Sequence, residues 1–222
     1  GIVGESGSGK SSICRLILNL IVKTSGEISW FGKNLDNYSK KEMKDFRKKV
    51  QIIFQDPYGS LDPRMTIGSI IREPLDIFDE KISRKDKEIK IFQIMDDVGL
   101  TNDLFNRYPH ELSGGQCQRV GIARALINKP SVLICDEPVS ALDLSIQAKI
   151  LKLLSALKDK YKLTLIFVSH DLSVIRSICD KVIVLKHGSI IENRETNDLF
   201  NNPKDGYTKK LISSVPSLIP LG

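Results

Sequence analysis

Apolar positions along the 222 residues follow two different periods, and the alternation between them outlines the fold. Gly1-Ile2-Val3 reads as the end of an apolar strand that runs straight into a glycine-rich turn. Beyond it Ile13, Leu16, Ile17, Leu20 and Ile21 recur at helical spacing. Segments near 28–32 and 50–54 predict short strands, and Lys85 to Val98 predicts a helix that stops at Gly99-Leu100-Thr101-Asn102. The stretch from about 60 to 128 reads as a mainly helical lobe. Val132-Leu133-Ile134-Cys135 and Leu163 to Val168 are continuous apolar runs, the pattern of strands covered on both faces in a parallel sheet. Between them Leu142, Ile146, Ile150, Leu153, Leu154 and Leu157 form one helical stripe, giving a strand–helix–strand unit. Val182 to Leu185 supplies a further strand and His187-Gly188-Ser189 a turn. The expectation is an α/β fold with a parallel sheet and a helical lobe, without internal repeats or long linkers.

Composition adds bounds. With 41% hydrophobic residues the chain has ample material for a buried core. No stretch approaches the roughly 18 apolar residues of a membrane span, and no charged-then-apolar leader opens the chain, so a soluble, unexported protein is expected. The abrupt start inside a strand leads us to expect a missing segment upstream. Lys+Arg 33 against Asp+Glu 27 gives a net charge of +6, which suits a membrane surface, nucleic acid or nucleotide phosphates alike. The densest basic run, Lys40 to Lys49, is interrupted by Glu42 and Asp45 and reads as a solvated helix face rather than a nucleic-acid patch. Cys14, Cys117, Cys135 and Cys179 lie far apart without a C-x-x-C pair, so they read as incidental thiols rather than a zinc site or a disulfide framework.

The strongest chemical signal is Gly4-Glu5-Ser6-Gly7-Ser8-Gly9-Lys10-Ser11, a full G-x-x-x-x-G-K-[ST] loop lying between a strand and a helix and followed by Ser12. Glycines let backbone N–H groups turn toward phosphate oxygens, and the helix N-terminus adds positive potential. Lys10 neutralises β/γ charge and Ser11 can ligate Mg²⁺. Asp136-Glu137 follows four apolar residues and so stands at the C-terminal end of a strand, where open α/β sheets bind ligands. Asp136 suits a Mg²⁺ ligand, and Glu137 suits a general base for the water that attacks the γ-phosphate. Leu112-Ser113-Gly114-Gly115-Gln116 precedes a helix bearing Val120, Ala123, Leu126 and Ile127, which puts Ser113 at an N-cap.

That pentapeptide resembles the signature of the ABC ATPase family, and further elements of the family fall in order over essentially the whole chain. The resemblance implies a RecA-like P-loop NTPase core with a helical signature subdomain. It also implies that Ser113, Gly114, Gly115 and Gln116 contact the γ-phosphate of ATP held by a partner subunit. Gln55 matches the Q-loop glutamine, which touches Mg²⁺ and water and links nucleotide state to the membrane partner. Ser140-Ala141-Leu142-Asp143 matches the D-loop at the dimer seam, with Asp143 near nucleotide. His170 matches the switch histidine. Alone, Gln55 or His170 is unremarkable; the set gives each its weight. Cys117 departs from the family, which commonly has a basic or polar residue there.

Phe54 to Thr66, Arg107-Tyr108-Pro109-His110-Glu111 and Asn202 to Leu211, with its Pro-x-x-x-Tyr-Thr, resemble the oligopeptide and dipeptide importers. The Asp-Pro-Tyr-Gly-Ser-Leu form resembles the second of two paired ATPases in those systems. By resemblance we expect one ATPase domain over 1–222 with a lobe at about 60–128 and an importer-type tail at about 198–222. The implied cofactors are ATP and Mg²⁺. The implied partners are a sibling ATPase, two transmembrane permease subunits and an extracytoplasmic substrate-binding protein, with no nucleic acid. The implied place is the cytoplasmic face of the cell membrane. The family's adenine-stacking aromatic belongs upstream of Gly1, and no metal cluster is expected after Cys179. Nickel importers share much of the pattern, and a soluble ABC ATPase acting on DNA or ribosomes is the competing class. Lys10 and Ser113 stand 103 residues apart, too close for the long insertion of DNA-repair relatives. A small-molecule kinase leaves the signature and His170 unexplained.

Overall fold

The computed structural model describes residues 1–214. Its elements in chain order are β1 (Ile2–Val3), α1 (Lys10–Ile17), β2 (Ser29–Trp30), β3 (Lys33–Asn34), α2 (Lys40–Lys49), β4 (Val50–Ile53), α3 (Ile67–Phe78), α4 (Arg84–Asp97), α5 (Gly114–Leu126), β5 (Val132–Asp136), α6 (Leu144–Tyr161), β6 (Thr164–Ser169), α7 (Leu172–Ile178), β7 (Lys181–Lys186), β8 (Ser189–Glu195), α8 (Thr196–Asn201) and α9 (Gly206–Ser213). They form two compact units, one of Gly1–Thr24 with residues 165–214, the other of Ser25–Thr164.

In the first unit, β1 lies parallel to β6, with Ile2 opposite Val168 and Val3 opposite Ser169, and parallel to β7, with Ile2 opposite Ile183. β7 turns back through His187 (φ 47°) and Gly188 (φ 78°) into antiparallel β8. Two successive positive φ values match the right-handed twist of a two-residue hairpin, and the glycine takes the second at no steric cost. Ser189–Glu195 carries no strand signal in sequence, because Ile190 and Ile191 are its only apolar residues and the rest is charged or polar. The helical stripe predicted through Ile21 overruns the helix: α1 ends at Ile17, Asn19 adopts φ 54°, and Leu20 and Ile21 are 52% and 41% exposed. Buried Ile2, Val3, Val168, Phe167, Val182, Val184 and Ile175 make this unit's core.

In the second unit, β4 and β5 pair in parallel from Val50 opposite Val132 to Ile53 opposite Cys135. All five residues of β5 are buried, as its unbroken apolar run predicts. The interval from 60 to 128 holds α3, α4 and α5, and α3 packs on both α4 and α5. Ile67, Ile70, Ile71, Leu75, Ile91, Met95, Ile122 and Leu126 are fully buried or nearly so and join these helices. Lys40–Lys49 forms an exposed, mostly charged helix with Phe46 as its buried anchor, capped by Ser39 in a reciprocal box with Glu42. α4 matches its predicted span to within one residue at each end.

Candidate nucleotide site

The phosphate loop lies wholly in the first unit. Gly7 (φ 78°) and Gly9 (φ 103°) take left-handed backbone, Gly9 serving as the N-cap of α1. A Cβ on Gly7 would meet nothing within 4 Å, so this rim is open to a ligand, whereas a Cβ on Gly4 would lie 2.3 Å from the Leu185 carbonyl oxygen. Lys10 is buried, and its Nζ donates to the carbonyls of Gly4 (2.9 Å) and Glu5 (3.0 Å), closing the loop across its mouth. The Ser8 N–H donates to Glu5 O at 3.1 Å, and the Gly188 N–H holds Ser8 O at 3.0 Å. Ser8 Oγ is buried without a hydrogen-bond partner. A buried, unsatisfied hydroxyl beside a buried lysine, at a helix start with no acidic residue in its first turn, fits a phosphate group. Glu5, Ser6 and Gly7 form the exposed tip, and Ser11 and Ser12 open α1. His170, also in this unit, follows β6 directly and is exposed, between Ser169 and the Asp171 that caps α7 through Ser173 N–H at 2.8 Å.

The second unit carries the remaining predicted residues. Asp136 ends β5 and is 7% exposed. Glu137 follows with φ 48°, a backbone region that L-residues rarely occupy. Ser140 fixes it there, donating to Glu137 O from its N–H (3.3 Å) and its hydroxyl (3.1 Å). The Glu137 carboxylate accepts Gln55 Nε2 at 3.2 Å, so a residue from the loop after β4 meets one from the loop after β5 across 82 positions of sequence. Strained backbone that neighbours hold in place recurs at functional sites. Within this unit Asp136 and Gln55 carry a carboxylate and an amide oxygen, donors suited to a hard cation such as Mg²⁺.

Ser113 caps α5: its Oγ accepts the Gln116 N–H at 3.3 Å, and Gln116 Oε1 accepts the Ser113 N–H at 2.9 Å. The first turn contains no acid, so its helix dipole is not neutralised locally. Gly115 is required by packing, since a Cβ there would sit 2.9 Å from Ile146 Cγ2. Asp143 is the N-cap residue of α6 and makes no side-chain cap, while its neighbour Leu144 is 83% exposed. Cys117 is fully buried, its Sγ directed at Pro109 O (3.5 Å), and burial pushes the thiol up to about 11. Cys117 therefore lies on the buried side of α5.

Two contributors carry no periodic signal in sequence. Tyr58 donates its hydroxyl to Leu112 O at 2.9 Å, tying the segment after Gln55 to the residue before Ser113. Tyr207, in α9, accepts the Glu5 N–H at 3.0 Å. A cleft of about 340 Å³ against the end of β4 is lined by Phe54, Ser60, Glu73, Ile77, Phe78 and Arg124, among others. Among the described residues, no helix is long and apolar enough to cross a membrane.

Residues 1–140 match the ABC transporter family. The chain is 51% identical over 216 residues to the oligopeptide transport ATP-binding protein OppF of Haemophilus influenzae, covering 97% of this chain and 65% of that protein. It is 45% identical over 217 residues to OppF of Bacillus subtilis, covering 97% and 71% respectively. The chain thus spans just under two thirds of the length of the Haemophilus relative. Among solved structures, it is similar to a dimeric ATP-binding cassette in a post-hydrolysis state bound to ADP and Pi, with TM-score 0.78 and 31% identity over 88% of this chain and 84% of that one. It is also similar to cbiO1 of Clostridium perfringens, part of an ABC transporter complex, with TM-score 0.79 and 29% identity over 90% and 78%. The α/β fold, the phosphate loop, the capped Leu112–Gln116 segment and these relatives agree that the chain belongs to the ABC transporter family, in the branch of the oligopeptide transport ATP-binding proteins.

Proposed function

We propose that this chain is the ATP-hydrolysing subunit of a membrane importer of oligopeptides or dipeptides, peripheral to the cytoplasmic face and paired with a sibling ATPase. The observation that carries the reading is Glu137: a carboxylate just beyond a buried strand, on a left-handed backbone fixed by Ser140 and held by Gln55 Nε2 at 3.2 Å.

Bound Mg²⁺ would supply charge neutralisation at the β- and γ-phosphates, with Asp136, Ser11 and Gln55 as its protein donors. The phosphate loop, from Gly4 to Ser12, binds through its backbone N–H groups, and Lys10 moves its Nζ from the Gly4 and Glu5 carbonyls to phosphate oxygen. Ser8 Oγ gains the partner it lacks. Glu137 Oε accepts a proton from the attacking water while Gln55 orients the carboxylate, and His170 donates to γ-phosphate. Ser113 keeps its hydroxyl proton for an anion while its oxygen accepts the cap, so the Ser113–Gln116 turn serves ATP on the partner subunit. Asp143 and the exposed Leu144 belong to the dimer seam. The apolar wall of Phe54, Ile77 and Phe78, whose first member precedes Gln55 in the chain, offers a permease segment a place to sense the nucleotide. Two permease subunits and an extracytoplasmic substrate-binding protein complete the assembly. The division into core, lobe at about 60–128 and tail at about 198–222 is part of this proposal, and residues 215–222 of the tail lie outside the described residues.

The test is the full-length Glu137→Gln protein. Binding of Mg-ATP should persist while phosphate release falls by roughly 10²–10⁴-fold, the range of general-base contributions. Turnover at the wild-type rate would remove Glu137 from the role.

A further inference from the structure

The last described helix reaches back to the start of the chain. Tyr207 Oη accepts the Glu5 backbone N–H at 3.0 Å, a contact between residues 202 positions apart. Glu5 is the residue whose carbonyl receives Lys10 Nζ (3.0 Å) and the Ser8 N–H (3.1 Å). One peptide neighbourhood is therefore gripped from outside by the tail, and from inside by the groups that face phosphate.

The tail is aimed by specific contacts. Glu192 of β8 is 7% exposed, and its carboxylate accepts the N–H groups of Lys204 (3.2 Å) and Asp205 (2.9 Å). Arg194 donates to Asn202 O at 2.6 Å, and Asp205 caps α9 by accepting the Tyr207 N–H at 2.7 Å. Lys186 Nζ stands 4.8 Å from the Tyr207 ring centroid, and its neighbour Leu185 presents the carbonyl against which Gly4 packs. With Gly188 N–H on Ser8 O, the loop backbone is pinned at two points, Glu5 and Ser8.

We propose that Tyr207 is a positioning residue for the phosphate loop, so that the tail sets nucleotide affinity without touching nucleotide. This rests on the reading of the loop as the ATP site. When Tyr207 holds the Glu5 N–H, the Gly4 carbonyl of the same peptide plane keeps the orientation in which it accepts Lys10 Nζ (2.9 Å), and the loop binds without first being ordered. A tail drawn away by a partner would weaken ATP binding through the same bond.

The experiment compares full-length wild type with Tyr207→Phe, which keeps the ring under Lys186 and removes only the hydroxyl. Three quantities are measured: the Kd for Mg-ATP, the split between KM and kcat, and amide exchange of residues 4–10 without nucleotide. The expected result is a Kd and KM raised about two- to tenfold, the value of one hydrogen bond, with kcat within about twofold of wild type. Exchange at Glu5 should quicken while the thermal midpoint barely moves. Unchanged Kd and unchanged exchange would overturn the proposal. Faster exchange with unchanged Kd would overturn the positioning role and leave only a structural contact. If wild type itself binds no Mg-ATP, the nucleotide reading fails and takes the positioning role with it, and exchange still decides whether the contact exists.

Discussion

Replacing Ser113 separates two tasks carried by one hydroxyl. Its Oγ accepts the Gln116 N–H at 3.3 Å, while Gln116 Oε1 accepts the Ser113 N–H at 2.9 Å, so alanine removes one half of the box and spares the other. N-cap truncations cost about 0.5–2 kcal/mol, and the long bond with a surviving reciprocal partner places this one near about 1 kcal/mol. For a chain of this size that lowers the thermal midpoint by roughly 2–4 °C. The functional loss is larger and separate, because the hydroxyl proton is left to donate to phosphate; removing such a donor costs about 10²–10³ in turnover. Aspartate distinguishes the two tasks, since it caps as well as serine but has no donor and repels an anion. Thermal unfolding and steady-state phosphate release, measured on full-length protein with the proposed sibling ATPase, should give a Ser113→Ala variant mildly unstable and nearly inactive. Ser113→Asp should be as stable as wild type and no more active than the alanine variant. Wild-type turnover in Ser113→Ala would show that Ser113 is a cap alone, and an aspartate variant more active than the alanine one would refute an anion at this helix start.

Two further outcomes follow from the first unit. Gly4→Ala places a Cβ 2.3 Å from the Leu185 carbonyl oxygen and 2.6 Å from Ser8 Oγ, with backbone on one side. The loop must shift, and Mg-ATP binding measured by calorimetry should fall at least about tenfold; binding at wild-type strength would contradict the described loop. At Glu192, burial pushes the carboxyl up, but N–H groups of Asp205 and Lys204 and nearby Arg194 outweigh it and hold the acid below its usual range. A depressed folded value stabilises above the ordinary glutamate pKa of about 4.3, and that stability is lost as pH falls through the folded value. Thermal midpoints recorded from about pH 5 to 3 should therefore drop more steeply in wild type than in Glu192→Gln; parallel profiles would exclude the tail anchor.

Elements with a strong period were legible in sequence, and so was chemistry written in consecutive residues. β5 reads as buried because it is apolar throughout, and the phosphate loop because glycine, lysine and serine stand in one run. α1 shows the limit, since Leu20 and Ile21 keep the helical period after Asn19 has turned left-handed. α3 was legible only as part of a helical lobe, because Pro74 lies inside it, its carbonyl taken up by Asn128 Nδ2 at 3.1 Å. The Gln55–Glu137, Tyr58–Leu112 and Tyr207–Glu5 bonds were beyond reach. They join loops far apart in sequence, and no local pattern records which polar side chain meets which backbone group.

On the reading proposed above, ATP turnover here drives a permease, and nucleotide-dependent capture would reveal that permease. Full-length Glu137→Gln protein, held with Mg-ATP, would be recovered from detergent-solubilised membranes and its co-purifying chains identified by mass spectrometry. On that reading a sibling ATPase, two permeases and a substrate-binding protein are recovered, retained with ATP and diminished without it. Recovery of ribosomes or DNA-repair factors, with no membrane protein in either condition, would contradict it.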